Sequence, residues 1–295
     1  MKVGIVTDSM SDLSPELAKK YGIVIVPGTV FIDNNPYRSG IDIFPSDIED
    51  LIIENSKKIS TGAPSAAEYY NAYTHLYDIV DIILSIHSPS KVTATSSVAR
   101  VAAKRLEDPT RVIRFECGVG SLGLGLTAIA AAITAKQVRE LSELLQRVAE
   151  YCERIQIIGT LDSFKYLQRS GRVKLKITGF LANALSVKPV LMMHGDDIIL
   201  LEKPRNRQKA LDFMIESVIK NIDMKCIPKM IGIGHFSCVE EARGVEGIIR
   251  QNFPEHEIIQ GNVDPMIVAH TGPGLILLSF FGTLDNSDRG ESIND

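Results

Sequence analysis

Close to the C-terminal end of this 295-residue chain, Met266-Ile267-Val268-Ala269 runs into His270-Thr271-Gly272-Pro273-Gly274, and Leu275-Ile276-Leu277-Leu278 follows at once. Both apolar flanks read as buried strands, which places an imidazole and a hydroxyl at a strand end. Gly-Pro-Gly cannot prolong either strand and gives a stiff turn with approachable backbone. A lone histidine is more often structural than functional. At the polar end of a core strand in an α/β protein, ligand contact becomes the competing reading.

Three other segments are rich in hydroxyl groups. Asp8-Ser9 follows the first strand-like run, Thr61 lies in Ser60-Thr61-Gly62-Ala63-Pro64-Ser65, and Thr93 opens Thr93-Ala94-Thr95-Ser96-Ser97. Each reads as a strand-to-helix turn, and the three are expected on one sheet edge. Helix capping accounts for each singly, and for Ser65 it is the preferred reading. Together with backbone N–H groups at helix starts they suit a small anion, a carboxylate held by neutral donors with no buried Lys or Arg. Basic residues gather later, in Lys165-Tyr166-Leu167-Gln168-Arg169-Ser170-Gly171-Arg172 and Lys203-Pro204-Arg205-Asn206-Arg207. A solvated face is the plain reading; Arg172 and Arg205 at turns also suit bidentate contact with carboxylate or phosphate.

Gly118-Val119-Gly120-Ser121-Leu122-Gly123 follows a strand and opens a helix, as in a dinucleotide site. The required second strand with its ribose-binding acid does not follow, because the next stretch stays helical and holds Glu140 and Glu143. The glycines are therefore assigned to close helix packing. The six histidines are isolated, and G-x-S-x-G, H-E-x-x-H and the P-loop lysine motif are absent. No metal and no cofactor is expected, and any ATP would have to come with a partner.

The elements that must position these residues alternate between strand and helix. Val3–Val6, Ile23–Val30, Ile79–Ile86 and Arg111–Phe115 read as strands of a parallel sheet. Ser14-Pro15-Glu16, Ser46-x-x-Glu49 and Ser65-x-x-Glu68 mark helix starts between them, and helices are expected on both faces. A long helical stretch spans about 122–153, broken near Lys136. Later strands at Ile155–Thr160, Val187–Met193, Ile198–Glu202 and Met230–Gly234 alternate with helices at Gln208–Ile222 and Val239–Gln251. Met193-His194-Gly195-Asp196-Asp197 predicts a hairpin and some antiparallel pairing. The expected fold class is α/β with two domains, 1–155 Rossmann-like and mostly parallel and 156–285 with a mixed sheet. Residues 286–295 form a polar tail.

A hydrophobic content of 45% supplies a large core, and a net charge of −4 argues against nucleic acid as a partner. Four scattered cysteines point to free thiols in a reducing compartment, and no apolar run reaches the roughly 20 residues of a transmembrane segment. A cytoplasmic protein is expected.

Taken in order, Val-Thr-Asp-Ser at the start, Thr61…Pro64-Ser65, Thr93-Ala94-Thr95, Leu167…Gly171-Arg172, Lys188-Pro189-Val190, Arg205-Asn206-Arg207 and His270-Thr271-Gly272-Pro273-Gly274 resemble the DegV family of bacterial fatty-acid-binding proteins. The resemblance runs to about Thr283. It implies a two-domain protein clasping one long-chain fatty acid, such as palmitate, stearate or oleate, in a tunnel between its domains. The carboxylate would be bound by Thr61 and Thr93, with His270 beside it. It further implies a non-ATP-binding subunit of a fatty acid kinase, which presents the carboxylate to a separate ATP-binding subunit for acyl-phosphate formation in phospholipid synthesis. Arg172 and Arg205 would face that subunit. His270 is the candidate for a catalytic part, and the chain by itself is not expected to be an enzyme.

The sequence departs from the family pattern at Thr93-Ala94 (for Ser-Gly), Gly62-Ala63 (for Ser-Gln), Glu116-Cys117 (for Asp-Ser) and Ser39 (for Asp). Roughly 0.8 kcal/mol per buried methylene gives a 16-carbon tail on the order of 10 kcal/mol before ordering costs, so neutral head-group contacts suffice. The alternative from another class is a small acyl-transfer hydrolase using His270 with a nearby Ser or Thr.

Overall fold

A computed structural model describes residues 1–54, 56–170, 187–195, 197–283 and 291–292. In chain order, the first part holds β1 (Val3–Asp8), α1 (Pro15–Tyr21), β2 (Ile23–Val26), β3 (Thr29–Ile32), β4 (Asn35–Arg38), α2 (Pro45–Glu54) and β5 (Ile59–Gly62). It continues through α3 (Ala66–Tyr77), β6 (Ile82–His87), α4 (Thr95–Ala103), β7 (Val112–Glu116), α5 (Ser121–Gln137) and α6 (Leu141–Arg154). Then come β8 (Ile155–Thr160), α7 (Lys165–Ser170), β9 (Val190–His194), β10 (Asp197–Glu202), α8 (Arg207–Asn221), β11 (Met230–Phe236) and α9 (Val239–Asn252). The last elements are β12 (Glu257–Asn262), α10 (Pro265–Thr271), β13 (Leu275–Phe281) and β14 (Glu291–Ser292).

The α/β class expected from the sequence is what forms. One sheet is fully parallel, in the order β2-β1-β6-β7. Side chains alternate across it: Ile5 and Leu84 pack toward α5, while Val6 and Ile83 pack against Tyr69 and Tyr73 of α3 and Ala99 and Ala102 of α4. A second, mixed sheet has the order β12-β11-β13-β8-β9-β10-β14, with β11 and β12 parallel and the other pairs antiparallel. The hairpin expected around Gly195 joins β9 to β10. Between the sheets lies α5, apolar on every side, and the core around it takes in Ile5, Leu84 and Ile86 from one sheet and Ile157, Met230 and Phe281 from the other.

Several expectations are corrected. Ile23–Val30 is not one strand, because Pro27-Gly28 divides it into β2 of the parallel sheet and β3 of a small antiparallel sheet, β4-β3-β5. Ser46 is not a helix cap: α2 already includes Pro45. Ser65, by contrast, forms the full capping box with Glu68. Glu257–Asn262, unassigned from sequence, is the edge strand β12. Met266–Ala269 is helical, part of α10. Asp264 caps it by accepting from the Met266 N–H at 2.8 Å, and Pro265 fills its first turn.

Candidate functional site

Because α10 is a helix, His270 stands on its last turn, not at a strand end. Gly272 closes the helix with φ +74°, and a Cβ there would lie 2.2 Å from the Tyr166 ring, so the turn into β13 admits only glycine at that position. The Thr271 hydroxyl donates to the Ile267 carbonyl one turn back in the same helix. α10 packs on β3 and β5 of the small sheet, and there the His270 Nε2 meets the Thr61 Oγ1 at 2.7 Å. Thr61 is thus on a strand, paired with Val30 across β3–β5. The expectation of three hydroxyl turns on one sheet edge is corrected accordingly: Asp8 ends β1 and Thr93 lies in the link from β6 to α4, at the parallel sheet, whereas Thr61 is on a strand of its small neighbour.

Thr61, Thr93 and His270 nonetheless border one cavity of about 420 Å³. Its apolar wall includes Ile157, Leu161, Leu167, Leu191, Leu275 and Leu277, and four methionines, Met10, Met192, Met193 and Met266, complete much of the rest. Methionine is unbranched and adapts to irregular shapes, so this wall can follow a flexible apolar guest. Among the described residues no Lys or Arg lines the cavity. Ala94 and Gly120 line it too, and these are the N-caps of α4 and α5, neither of which is capped by its own side chain. Two helix N-termini therefore open on the cavity beside the hydroxyl groups, an arrangement that favours an anion.

The G-x-G-x-x-G segment belongs to this wall through Gly120 and Ser121. Gly123 serves packing, as a Cβ there would lie 2.7 Å from the Val119 side chain and 3.5 Å from Ile155.

Sequence reasoning named Asp8 for its strand end but missed the carboxylate set just behind the wall, where Asp8 and Asp264 are buried and Asp12 is half-buried. Asp8, Asp12 and Asp264 each hold a cavity-lining residue: Asp8 accepts from the Met10 N–H at 3.0 Å, Asp12 from the Ser121 hydroxyl, and Asp264 from the Met266 N–H. Asp12 also accepts from the Asp264 N–H at 2.8 Å, and the Ser39 hydroxyl donates to Asp264 at 2.8 Å. Burial, followed by the charge of Asp264, pushes the Asp12 carboxyl well above its ordinary range. Burial likewise pushes Asp264 up to about 7, with the charge of Asp8 adding to it. The one available signal was Asp264-Pro265, a helix start in front of a short apolar run.

The basic candidates lie elsewhere. Arg205 is exposed in the link from β10 to α8, one residue before the cap Asn206, and does not line the cavity. Arg172 falls outside the described residues. Arg207 pairs with Glu241 at 2.9 Å, and Lys188 donates to Asp162 at 2.9 Å. Among the described residues no group of three or more His, Cys, Asp or Glu is placed to hold a metal ion, and no helix is long and apolar enough to cross a membrane.

Comparison with known proteins follows the same lines. The chain is 29% identical over 272 residues to a DegV domain-containing protein of Caldanaerobacter subterraneus subsp. tengcongensis, covering 92% of this chain and 96% of that one. A solved DegV family protein from Thermus thermophilus, described for its fatty acid binding, superposes with a TM-score of 0.84 at 23% identity, over 96% of this chain and all of that one. A stearic acid-binding protein from Eubacterium ventriosum superposes with a TM-score of 0.83 at 20% identity, over 95% and 98%. The family model described as "Uncharacterised protein, DegV family" matches residues 2–282, and the chain belongs to the DegV family.

Proposed function

We propose that this protein binds one long-chain fatty acid in the cavity between its two large sheets, with the carboxylate at Thr61, Thr93 and His270. The observation that carries this reading is the pairing of an apolar cavity with a polar lining that holds no Asp, Glu, Lys or Arg among the described residues. Leu, Ile and Met walls take the tail, while hydroxyl groups and two uncapped helix starts take the head group. With its proton on Nε2, His270 donates to the Thr61 oxygen, and the Thr61 O–H turns toward the carboxylate. The solved relatives described as binding fatty acid or stearic acid lend support through the shared fold.

In the same reading the carboxylate is presented to a separate ATP-binding kinase subunit, which converts it to an acyl phosphate. Arg172 and Arg205 face that subunit, and His270 assists at the reacting end, where phosphoryl transfer needs positive charge. The protein is then a lipid-presenting subunit and works without a cofactor of its own.

The 2.7 Å contact between Thr61 and His270 also suits a second reading, in which His270 activates Thr61 for acyl transfer. One experiment separates the two. An organic extract of the purified protein, analysed by mass spectrometry, is expected to hold one fatty acid per chain, and the protein is expected to release no alcohol from acyl esters. An extract without fatty acid refutes the binding reading, and turnover of an ester that is lost in Thr61→Val establishes the hydrolase.

A further inference from the structure

The cysteines are not equally scattered in space. Cys117 directly follows β7, and Cys152 sits on the last turns of α6, yet their Sγ atoms lie 3.1 Å apart. A disulfide bond is about 2.05 Å long, so the two sulfurs are roughly 1 Å from bonding distance, a gap that small side-chain rotations close. Both thiols are free. Cys117 is 1% exposed, whereas Cys152 is only half-buried on the outer side of the pair.

We propose that Cys117 and Cys152 form a reversible disulfide when the protein meets a hydroperoxide, a modification that ties the segment leading into the cavity wall to α6. Three residues after Cys117, Gly120 caps α5 and, with Ser121, lines the cavity. The Cys117 N–H is already anchored to the His87 carbonyl at 2.8 Å. A bond to Cys152 therefore fixes the side chain of a residue whose backbone is fixed, and the stiffening passes to Gly118–Ser121.

The reaction begins at Cys152, which the oxidant reaches. Its thiolate attacks one peroxide oxygen, the O–O bond breaks, and the leaving alkoxide takes a proton as the alcohol, or water for hydrogen peroxide. Cys152 is then a sulfenic acid. The Cys117 sulfur next attacks the Cys152 sulfur, the S–O bond breaks, and the hydroxide leaves as water with the Cys117 proton. In sum, two thiols lose two electrons and the peroxide O–O bond gains them.

The remaining cysteines provide an internal control. Burial pushes the Cys226 and Cys238 thiols up to about 11, and the Cys238 thiol donates to the carbonyls of Phe236 and Leu275. Burial also holds the Cys117 thiol well above its ordinary value, in keeping with a resolving rather than an attacking role.

The test treats the folded full-length protein with hydrogen peroxide, then alkylates, digests without reductant and maps peptides. The expected product joins the Cys117 and Cys152 peptides, reverts with dithiothreitol, and leaves Cys226 and Cys238 alkylated. Amide hydrogen exchange at residues 118–121 is expected to slow in the oxidised form. In Cys117→Ser, dimedone should capture a sulfenic acid at Cys152, and in Cys152→Ser neither cross-link nor captured acid should form. Alkylation of both Cys117 and Cys152 after peroxide treatment overturns the proposal. So does sulfinic acid at Cys152 without a cross-link, or unchanged exchange at 118–121 in a cross-linked protein. The peptide and dimedone readouts are independent of whether a fatty acid is bound, and the exchange comparison uses delipidated protein because Gly120 and Ser121 line the cavity.

Discussion

Replacing Thr61 with valine keeps the shape of the side chain and removes only its hydroxyl. That hydroxyl joins β5 to the last turn of α10 through His270, across 209 residues of sequence. In the proposed complex it also donates to a carboxylate. A hydrogen bond to a charged group contributes about 1.5–3 kcal/mol, and each 1.4 kcal/mol is a tenfold change in Kd, so the Kd for a long-chain fatty acid should rise roughly 10- to 100-fold. The fold should lose less. Thr61 is half-buried, and a neutral hydrogen bond contributes about 0.5–1.5 kcal/mol net. His270→Ala removes the other partner, and the double variant completes a thermodynamic cycle. Side chains in contact couple by about 0.5–3 kcal/mol, so the double variant should lose less affinity than the two single losses added. Calorimetric titration of delipidated protein with oleate gives the affinities, and thermal melts of the same samples give the folding cost. Wild-type affinity in Thr61→Val, or strict additivity in the cycle, would refute the head-group assignment.

Asp264 makes stability depend on pH. Its carboxyl is pushed up to about 7 from an ordinary 3.8, so between those values the native state holds a proton that the unfolded chain has released. Stability should therefore fall as pH rises through this window, by up to about 1.4 kcal/mol per pH unit. Asp264→Asn keeps a cap oxygen and cannot ionise, so its melting temperature should decline less steeply with pH than that of the wild type; parallel slopes would contradict the argument. Gly272→Ala forces a Cβ into the Tyr166 ring at a left-handed position, and should destabilise by about 2–4 kcal/mol in a denaturant titration while weakening fatty acid affinity. Arg205→Ala and Arg172→Ala should leave fatty acid affinity unchanged and abolish acyl-phosphate formation with an ATP-binding subunit, and normal acyl-phosphate yield would remove both arginines from that role.

Where the sequence carried period and punctuation together, the elements could be read from it. Ser14-Pro15 and Ser65-x-x-Glu68 cap α1 and α3 as expected, and the apolar runs of β1, β6 and β7 make the parallel sheet. The long helical stretch breaks near Lys136 into α5 and α6. Short apolar runs were ambiguous. Met266–Ala269 is too brief to show a period of two or of 3.6, and Asp264-Pro265 ahead of it was the deciding signal. Thr61 and Thr93 were identified by residue type, but their meeting with His270 was not readable from spacing, because β5 belongs to a separate three-stranded sheet. The aspartate cluster was hidden for the same reason: Asp12 and the Asp264 N–H it binds are 252 residues apart, and nothing local marks the two as partners.

That cluster bears on how the proposed head-group site manages with no Lys or Arg among its described lining residues. A lysine or arginine in the wall would have to be desolvated, and the charge pair it made would repay little of that loss. A tail supplying on the order of 10 kcal/mol makes the pair unnecessary. The opposite danger is repulsion, since three aspartates stand one hydrogen bond behind Met10, Ser121 and Met266. Burial disposes of much of it. It holds Asp264 protonated up to about pH 7 and pushes the Asp12 carboxyl upward as well, so below that pH Asp264 braces the wall without a charge. In the proposed complex the head group meets hydroxyl groups, an imidazole and two helix N-termini, held by a scaffold in which Asp264 is uncharged below about pH 7. A rise in pH that ionises Asp264 should therefore weaken fatty acid binding in the wild type and not in Asp264→Asn. Identical pH profiles for the two proteins would show that the aspartates only support the fold.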